Sequence, residues 1–538
     1  MLKHRGTTIG FALGVLFSLL AAGPVQPQTE LTGQTASGAF YRIQVPDEWQ
    51  PADGLVIWNH GFSLDPIGPV EDLGPLAGLH LAEGYAVAAS SYSLTGWALF
   101  NTVRDNNEMV DVFEAEVGVP EEVFVYGGSL GGIVTAQAIE QGDLGNVVGA
   151  LPICGALAGS KVWDGGLDIR LLYDFLCSDV PGGAIAGGAQ GLPFPPDPSF
   201  DLNAMAVAVD TCLGVLRPPI LRTAEQTQRL EKMLAVTGLP ESFILTDMGF
   251  VTFGLADLVF DPAKLGGQAA LGNSKVDYGD AAVNADIPRV SFDPQARQLL
   301  IENYTPNGKI GDVKIVSLHT DKDGLVLVEN ESDYAAKVPP SQFTLGIVVE
   351  DEPSHCDFTE AELVSAWENL RGWVGGLPQP SAAQLQAVCE GLDAGGLAQG
   401  PCRIDPGFVV PDIEDRVRRR DTCVPGPDAL CLNDGRFRLE VDWRNFQGEV
   451  GDGRSPGPGT DDSGLFYFFN PDNWEMLVKV LDGCNNNGHY WVFSAATTNV
   501  EYTLRVTDTD TGVESSYFNP LRTRAPALTD TQAFATCP

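Results

Sequence analysis

A chain of 538 residues is long enough for two or three domains and a large core, and an apolar share of 44% marks it as globular and not disordered. Its 71 acidic against 32 basic residues give a net charge of −39. Charge of that sign and size argues against binding nucleic acid or an anionic membrane surface, and suits a soluble extracellular protein with solvated acidic surface.

The N-terminus reads as a secretory signal peptide over 1–28: Lys3, His4 and Arg5 precede an apolar stretch at 9–22, short for a membrane span. No other segment is expected to be long and apolar enough to cross a bilayer, so no integral span should remain after signal removal. Ten cysteines, an even count without any C-x-x-C pair, are expected to form disulfides in an oxidising compartment, with no metal and no organic cofactor. Their connectivity does not follow from spacing.

Past the signal, residues 39–45 alternate like an edge strand. Residues 54–58 form a buried-type strand that runs into Asn59-His60-Gly61-Phe62. A helix around 76–83, a strand at 85–90 and a helix at 97–117 follow. The apolar run Val123-Phe124-Val125-Tyr126 leads into Gly127-Gly128-Ser129-Leu130-Gly131, and 133–139 continues as a helix. A strand, a glycine-pinched turn and a helix would lift one serine hydroxyl out of the fold. Further strands are expected at 147–153, 313–318 and 343–349, and a closing helix at 360–374, where Leu363, Ala366, Leu370 and Val374 fall at helical spacing. Apolar strands alternating with helices imply a mostly parallel sheet covered on both faces, an α/β fold.

The stretch 155–312 far exceeds an ordinary βα connection. Its helical patterns at 171–176, 202–216 and 224–236, with a Pro/Gly-rich loop at 180–198, read as a helical cap inserted over the sheet edge that carries ligand sites in open α/β sheets. Residues 376–428 read as a cysteine-bearing connector. Its basic run Arg416-Val417-Arg418-Arg419-Arg420 is linker chemistry or a processing site. From 429 to 538 the pattern turns to period two, broken by Asn- and Asp-rich turns, which predicts an all-β sandwich. Asp508 and Asp510 fit a hairpin turn better than a calcium site. Trp443, Trp474 and Trp491 would support sugar binding if exposed; core packing is the expectation.

A serine hydroxyl needs a base, and histidine is the usual one. Only six histidines are present. His4 lies in the signal and His489 in the β-module. His60 and His80 precede the serine, whereas the α/β-hydrolases, whose serine turn the strand–Gly127-Gly128-Ser129-Leu130-Gly131–helix pattern resembles, order their triad serine, acid, histidine. His319 ends a strand ahead of the best acid. His355 remains, just after the last predicted strand. The acid is expected in His319-Thr320-Asp321-Lys322-Asp323-Gly324, with Asp323 first and Asp321 as runner-up. Leu130, after the serine, and Phe62, in the His60-Gly61-Phe62 turn, are the expected backbone donors of an oxyanion hole, with His60 a support for that loop.

On these residues, 29–375 resembles a secreted α/β-hydrolase of the esterase, lipase and depolymerase group. The resemblance implies a triad of Ser129, Asp323 and His355 with Phe62 and Leu130 as oxyanion donors, acting on a small-molecule or polymeric carboxylic ester. Tannases and feruloyl esterases often pair a cysteine before the serine with one after the histidine. Here Cys356 follows His355, but Gly128 precedes Ser129, so that pairing cannot form. Cys356 is expected to bond to Cys389 or Cys402. The last segment resembles a C-terminal β-module of many secreted bacterial proteins, which implies attachment to a surface or polymer. A peptidase or amidase on the same triad, and a binding protein on a hydrolase scaffold, are the alternative readings.

Overall fold

The computed structural model describes residues 29–185, 201–274, 276–413, 423, 425–433, 435–457, 459–509 and 513–537. The expected signal peptide, most of the 180–198 loop, the basic run at 416–420 and Asp510 lie outside these residues.

Eight strands form the first sheet: β1 (Thr29–Gln34), β2 (Phe40–Val45), β3 (Leu55–Asn59), β4 (Ala86–Ser90), β5 (Val123–Gly128), β6 (Val147–Ile153), β7 (Lys314–Thr320) and β8 (Phe343–Val348). They lie in the order β1-β2-β4-β3-β5-β6-β7-β8. The β1–β2 and β2–β4 pairs are antiparallel, and the β3–β4 pair and all pairs from β3 through to β8 are parallel. Successive residues of a strand feed opposite faces. Leu55, Ile57, Val123 and Val125 enter one core, and Val56, Phe124 and Tyr126 the other. The first core is closed by α2 (Thr102–Glu116), through Met109, Val110 and Phe113, and by α3 (Leu130–Gln141), through Ile133 and Val134. The second is closed by α1 (Ala77–Ala82) and α12 (Glu360–Val374), whose Trp367 and Leu370 are buried. The stretch read as a connector adds α13 (Ala382–Gly395) to this second core through Leu385, Cys389 and Leu392.

Between β6 and β7 run α4 (Ser160–Cys177), α5 (Leu202–Leu213), α6 (Ala224–Thr237), α7 (Ile244–Gly249), α8 (Leu255–Phe260), α9 (Ala281–Asp286) and α10 (Pro294–Glu302). Their buried faces, among them Leu167, Leu171, Val209, Met233 and Leu258, are continuous with the first core. One sequence expectation is corrected here. The run Glu241–Phe260 is long and apolar enough to cross a membrane by length and composition, and it was not foreseen. Its apolarity has a packing origin: Ile244, Met248, Val251, Leu255 and Leu258 are buried inside the cap.

The remaining strands build two antiparallel sheets over one core. One holds β9 (Leu430–Leu432), β10 (Phe437–Arg444), β11 (Val450–Asp452), β15 (Glu501–Asp508) and β16 (Val513–Asn519). The other holds β12 (Ser463–Phe466), β13 (Met476–Gly483), β14 (His489–Ala496) and β17 (Leu528–Phe534). Phe437, Leu439, Val441, Val478, Val480, Val492 and Leu504 fill the space between them. Asp508 is buried in a two-pronged ion pair with Arg436 at 2.8 and 3.1 Å. The tryptophans meet the expectation in part: Trp443, half-buried, packs against this core, whereas Trp491 is half-buried and Trp474 is 56% exposed. Period-two alternation assigns a residue to a face but does not say whether that end of the face is covered.

Candidate active site

The C-terminal ends of β3, β5, β6, β7 and β8 meet at one edge of the sheet. Ser129 sits between β5 and α3 with φ 58° and ψ −121°, a left-handed conformation that a side chain rarely adopts. Two glycines make this turn possible. A Cβ on Gly131 would lie 1.9 Å from the carbonyl oxygen of Asn59, and one on Gly127 would lie 2.3 Å from the carbonyl oxygen of Gly131. The backbone of β3 therefore runs against the turn, and only residues without Cβ admit it. Buried Asn59 fixes that approach, donating to Thr135 Oγ1 at 3.1 Å and accepting from Asn106 Nδ2 at 3.0 Å.

His355 stands over the serine. Ser129 Oγ lies 2.9 Å from His355 Nε2, and His355 Nδ1 lies 2.8 and 2.9 Å from the two carboxylate oxygens of Asp323. A carboxylate only accepts, so Nδ1 carries the proton and Nε2 is left to accept from the serine. Asp323 is itself held, accepting from the backbone N–H groups of Leu325 at 2.9 Å and Val326 at 2.8 Å. The runner-up acid, Asp321, points elsewhere: it accepts from the Glu350 N–H at 2.8 Å and ties off the end of β8. The chain has the α/β-hydrolase fold. Its strand order, its strained serine turn and the order serine, acid, histidine along the chain agree in detail.

Within that fold, Leu130 is the first residue of α3, where a helix leaves its N–H groups without an intrahelical partner. Phe62 and Leu130 line the same cavity as Ser129. His60 supports the Phe62 turn, as expected. Its Nδ1 lies 2.8 Å from the Gly61 carbonyl, its ring stacks on Tyr92 at 4.1 Å, and burial holds its pKa below the ordinary value. The cavity has a volume of about 90 Å³ and is mostly apolar, walled by Trp97, Ile169, Leu239, Phe250, Val251 and Leu325. Lys161, Asp247 and Glu329 are its charged lining, and Lys161 pairs with Asp333 at 3.0 Å.

The expected partner of Cys356 is corrected. Cys356 is bonded to Cys154, and Cys389 pairs with Cys402. Cys154 follows β6 and Cys356 follows His355, so parallel strands bring both to the edge that carries the serine. A signal for this was present in the sequence, since each cysteine lies just beyond the end of a predicted strand. Like Ser129, Cys154 and Cys356 have positive φ, at 43° and 56°. Their sulfurs lie within 4.8 Å of an Asp323 oxygen, but a disulfide offers no thiolate to a metal. The acid loop and the histidine loop are also joined directly, by Gly324 N–H to the Ser354 carbonyl at 3.0 Å. A capping box at Thr359 and Glu362 then starts α12. Sequence reasoning also missed Glu331, which meets His319 behind Asp323.

No protein-family model matches the chain. It is 24% identical over 435 residues to an o-phthalyl amidase of Xanthobacter agilis, covering 68% of this chain and 92% of that protein. Among solved structures, it is similar to the rice cell wall degrading esterase LipA from Xanthomonas oryzae. The identity is 13% and the TM-score 0.32, over 64% of this chain and 86% of that one. It is also similar to Candida antarctica lipase A in its closed state, with 13% identity and a TM-score of 0.32 over 71% and 95% of the two chains.

Proposed function

We propose that this protein is a secreted serine hydrolase that cleaves carboxylic esters through an acyl-enzyme. The observation that carries the reading is the hydrogen-bonded series Ser129–His355–Asp323 opening onto an apolar cavity. Ser129 Oγ attacks the ester carbonyl carbon as His355 Nε2 takes its proton, and Asp323 stabilises the imidazolium that forms. The backbone N–H groups of Leu130 and Phe62 receive the oxyanion. His355 then returns the proton to the leaving alcohol. Water activated by the same nitrogen attacks the acyl carbon and frees Ser129. The narrow apolar wall favours short acyl or aromatic acyl groups, including the repeating unit of a polyester. Five disulfides suit an oxidising compartment. The β-module would hold the enzyme on a surface or polymer and raise the local concentration of ester.

Amide cleavage is the second reading, favoured by the similarity to an amidase along most of that protein's length. One panel separates the two: nitrophenyl esters of short and long acids, an aromatic ester, a polyester film and an aromatic anilide. Ester turnover with the anilide untouched supports the first reading, and faster anilide cleavage the second. Ser129→Ala should abolish turnover while keeping the thermal melt, and Asp323→Asn should lower kcat by about 10⁴-fold. Undiminished turnover in Ser129→Ala would remove the nucleophile.

A further inference from the structure

His319 was set aside as a base, yet it is fully buried directly behind the catalytic acid. Its Nδ1 lies 3.1 Å from Glu331 Oε1 and its Nε2 lies 2.7 Å from the Val326 carbonyl oxygen, with Asp323 Oδ2 at 3.9 Å. A carbonyl oxygen accepts only, and so does an ionised carboxylate. A neutral imidazole can donate from one nitrogen, not two. The Glu331 side chain is also fully buried, and its Oε1 takes a second hydrogen bond, from Ser317 Oγ at 2.9 Å, while Oε2 makes none among the described residues. A buried carboxylate served only by neutral donors would be costly, and a facing cation removes most of that cost.

We infer that His319 is a permanent imidazolium held by Glu331, and that it positions the loop bearing Asp323 and tempers the negative charge Asp323 presents to His355. The inference rests on the serine-hydrolase reading and deepens it: His319 is a positioning residue acting through Asp323. Burial opposes a charge on the ring, but the hydrogen bond and the field of Glu331, with the field of Asp323, outweigh it and hold the His319 pKa above its ordinary value. Glu331 from α11 (Asn330–Ala335) and Asp323 from the acid loop face His319. His355 faces Asp323 from the histidine loop, and Glu350, after β8, feels its charge. The bond from His319 to the Val326 carbonyl closes the same turn whose N–H groups grip Asp323, so ring and acid share one loop.

Without the cation, Asp323 would act on His355 with its full charge, and the pH dependence of turnover would change with it. The test uses the full chain with wild type, Glu331→Gln and His319→Asn. Nitrogen-15 spectra of labelled histidines should show both ring nitrogens of His319 protonated at pH 8, the signal being assigned by its loss in His319→Asn. In Glu331→Gln the acid limb of the kcat/KM profile should move up by roughly one pH unit, with kcat lower by about ten-fold and KM unchanged. Glu331→Gln is isosteric and guards against a folding defect in His319→Asn. An unprotonated ring nitrogen on His319 at pH 8, or superimposable profiles for wild type and Glu331→Gln, overturns the inference alone when a fluorophosphonate still labels Ser129 in the wild type. A wild type that the fluorophosphonate does not label overturns the hydrolase reading and this inference with it.

Discussion

Removing the Cys154–Cys356 bridge as Cys154→Ser/Cys356→Ser should cost both stability and turnover. The bridge joins residues 202 apart in sequence. Loop-closure entropy in the unfolded chain scales with the logarithm of that separation, and a loop of this length gives about 5 kcal/mol at 25 °C. The nested Cys177–Cys212 bridge spans 35 residues and shortens the loop too little to change that figure. The catalytic effect is separate. Cys356 adjoins His355, whose Nε2 must stay near 2.9 Å from Ser129 Oγ. A histidine loop that has lost this covalent tie to the end of β6 should sample misaligned states, lowering kcat by about ten-fold with KM nearly constant. Cys389→Ser/Cys402→Ser is the control: its cysteines are 13 residues apart and neither lines the Ser129 cavity, so it should cost about 3 kcal/mol and leave kcat unchanged. Denaturant unfolding followed by tryptophan fluorescence, with initial rates on a short nitrophenyl ester, measures both terms. The reasoning fails if the Cys154/Cys356 variant unfolds no earlier than the control, or if its kcat matches wild type.

Two further substitutions test the packing that serves the site. Gly131→Ala would drive a methyl group into the Asn59 carbonyl, and the backbone on either side must shift, so turnover of whichever substrate the wild type cleaves should fall by at least about 100-fold with far-UV circular dichroism little changed; wild-type activity would show that the turn has slack. His80 is buried against Tyr126 and Trp367, neither ring nitrogen has a partner among the described residues, and burial pushes its pKa down to about 3. Because the unfolded chain takes up this proton near pH 6.5 and the folded chain does not, wild-type stability is intact above pH 6.5 and declines as pH falls toward 3. His80→Phe should therefore gain about 2 kcal/mol over wild type on going from pH 7.5 to pH 5, read from denaturation midpoints at the two values. A constant difference between the two proteins would contradict the burial argument.

The site was legible where chemistry needs a residue type at a fixed place along the chain. Ser129 stood out less by its flanking glycines, which a surface loop could share, than by its place between an apolar strand and a helix and by the histidine and acid that follow in order. His355 emerged because the other five of six histidines could be eliminated one by one, and Asp323 because its loop follows the penultimate strand. What stayed hidden depends on which strands lie side by side. The order β5-β6-β7-β8 brings Cys154 to Cys356 across two strands, a neighbourhood that sequence distance conceals. Glu331 is one of several acids between β7 and β8, and only the folded chain turns it inward to His319 and Ser317. The apolar run Glu241–Phe260 went unnoticed as a run, and its length alone does not say what it packs against, since burial in a cap and burial in a bilayer select the same side chains.

The pins around the serine are of different chemical kinds, and that difference carries an argument about how the site keeps its geometry. Each loop at this sheet edge is fixed to a neighbour by a contact that substrate need not touch. The serine turn is pressed against Asn59 by steric fit at Gly131. The histidine loop is tied covalently to the end of β6. The acid loop is anchored by a buried charge pair behind it and by the Gly324–Ser354 bond beside it. Steric, covalent and electrostatic constraints respond differently to heat, reductant and pH, so no single change of conditions loosens all three loops together. Ser129, Cys154 and Cys356 all hold left-handed backbone conformations, which a chain keeps only when its surroundings over-determine them. The strain and the redundancy of its restraints thus have one origin: the side chains of Ser129, His355 and Asp323, from three separate loops, are held within hydrogen-bond distance before any substrate arrives.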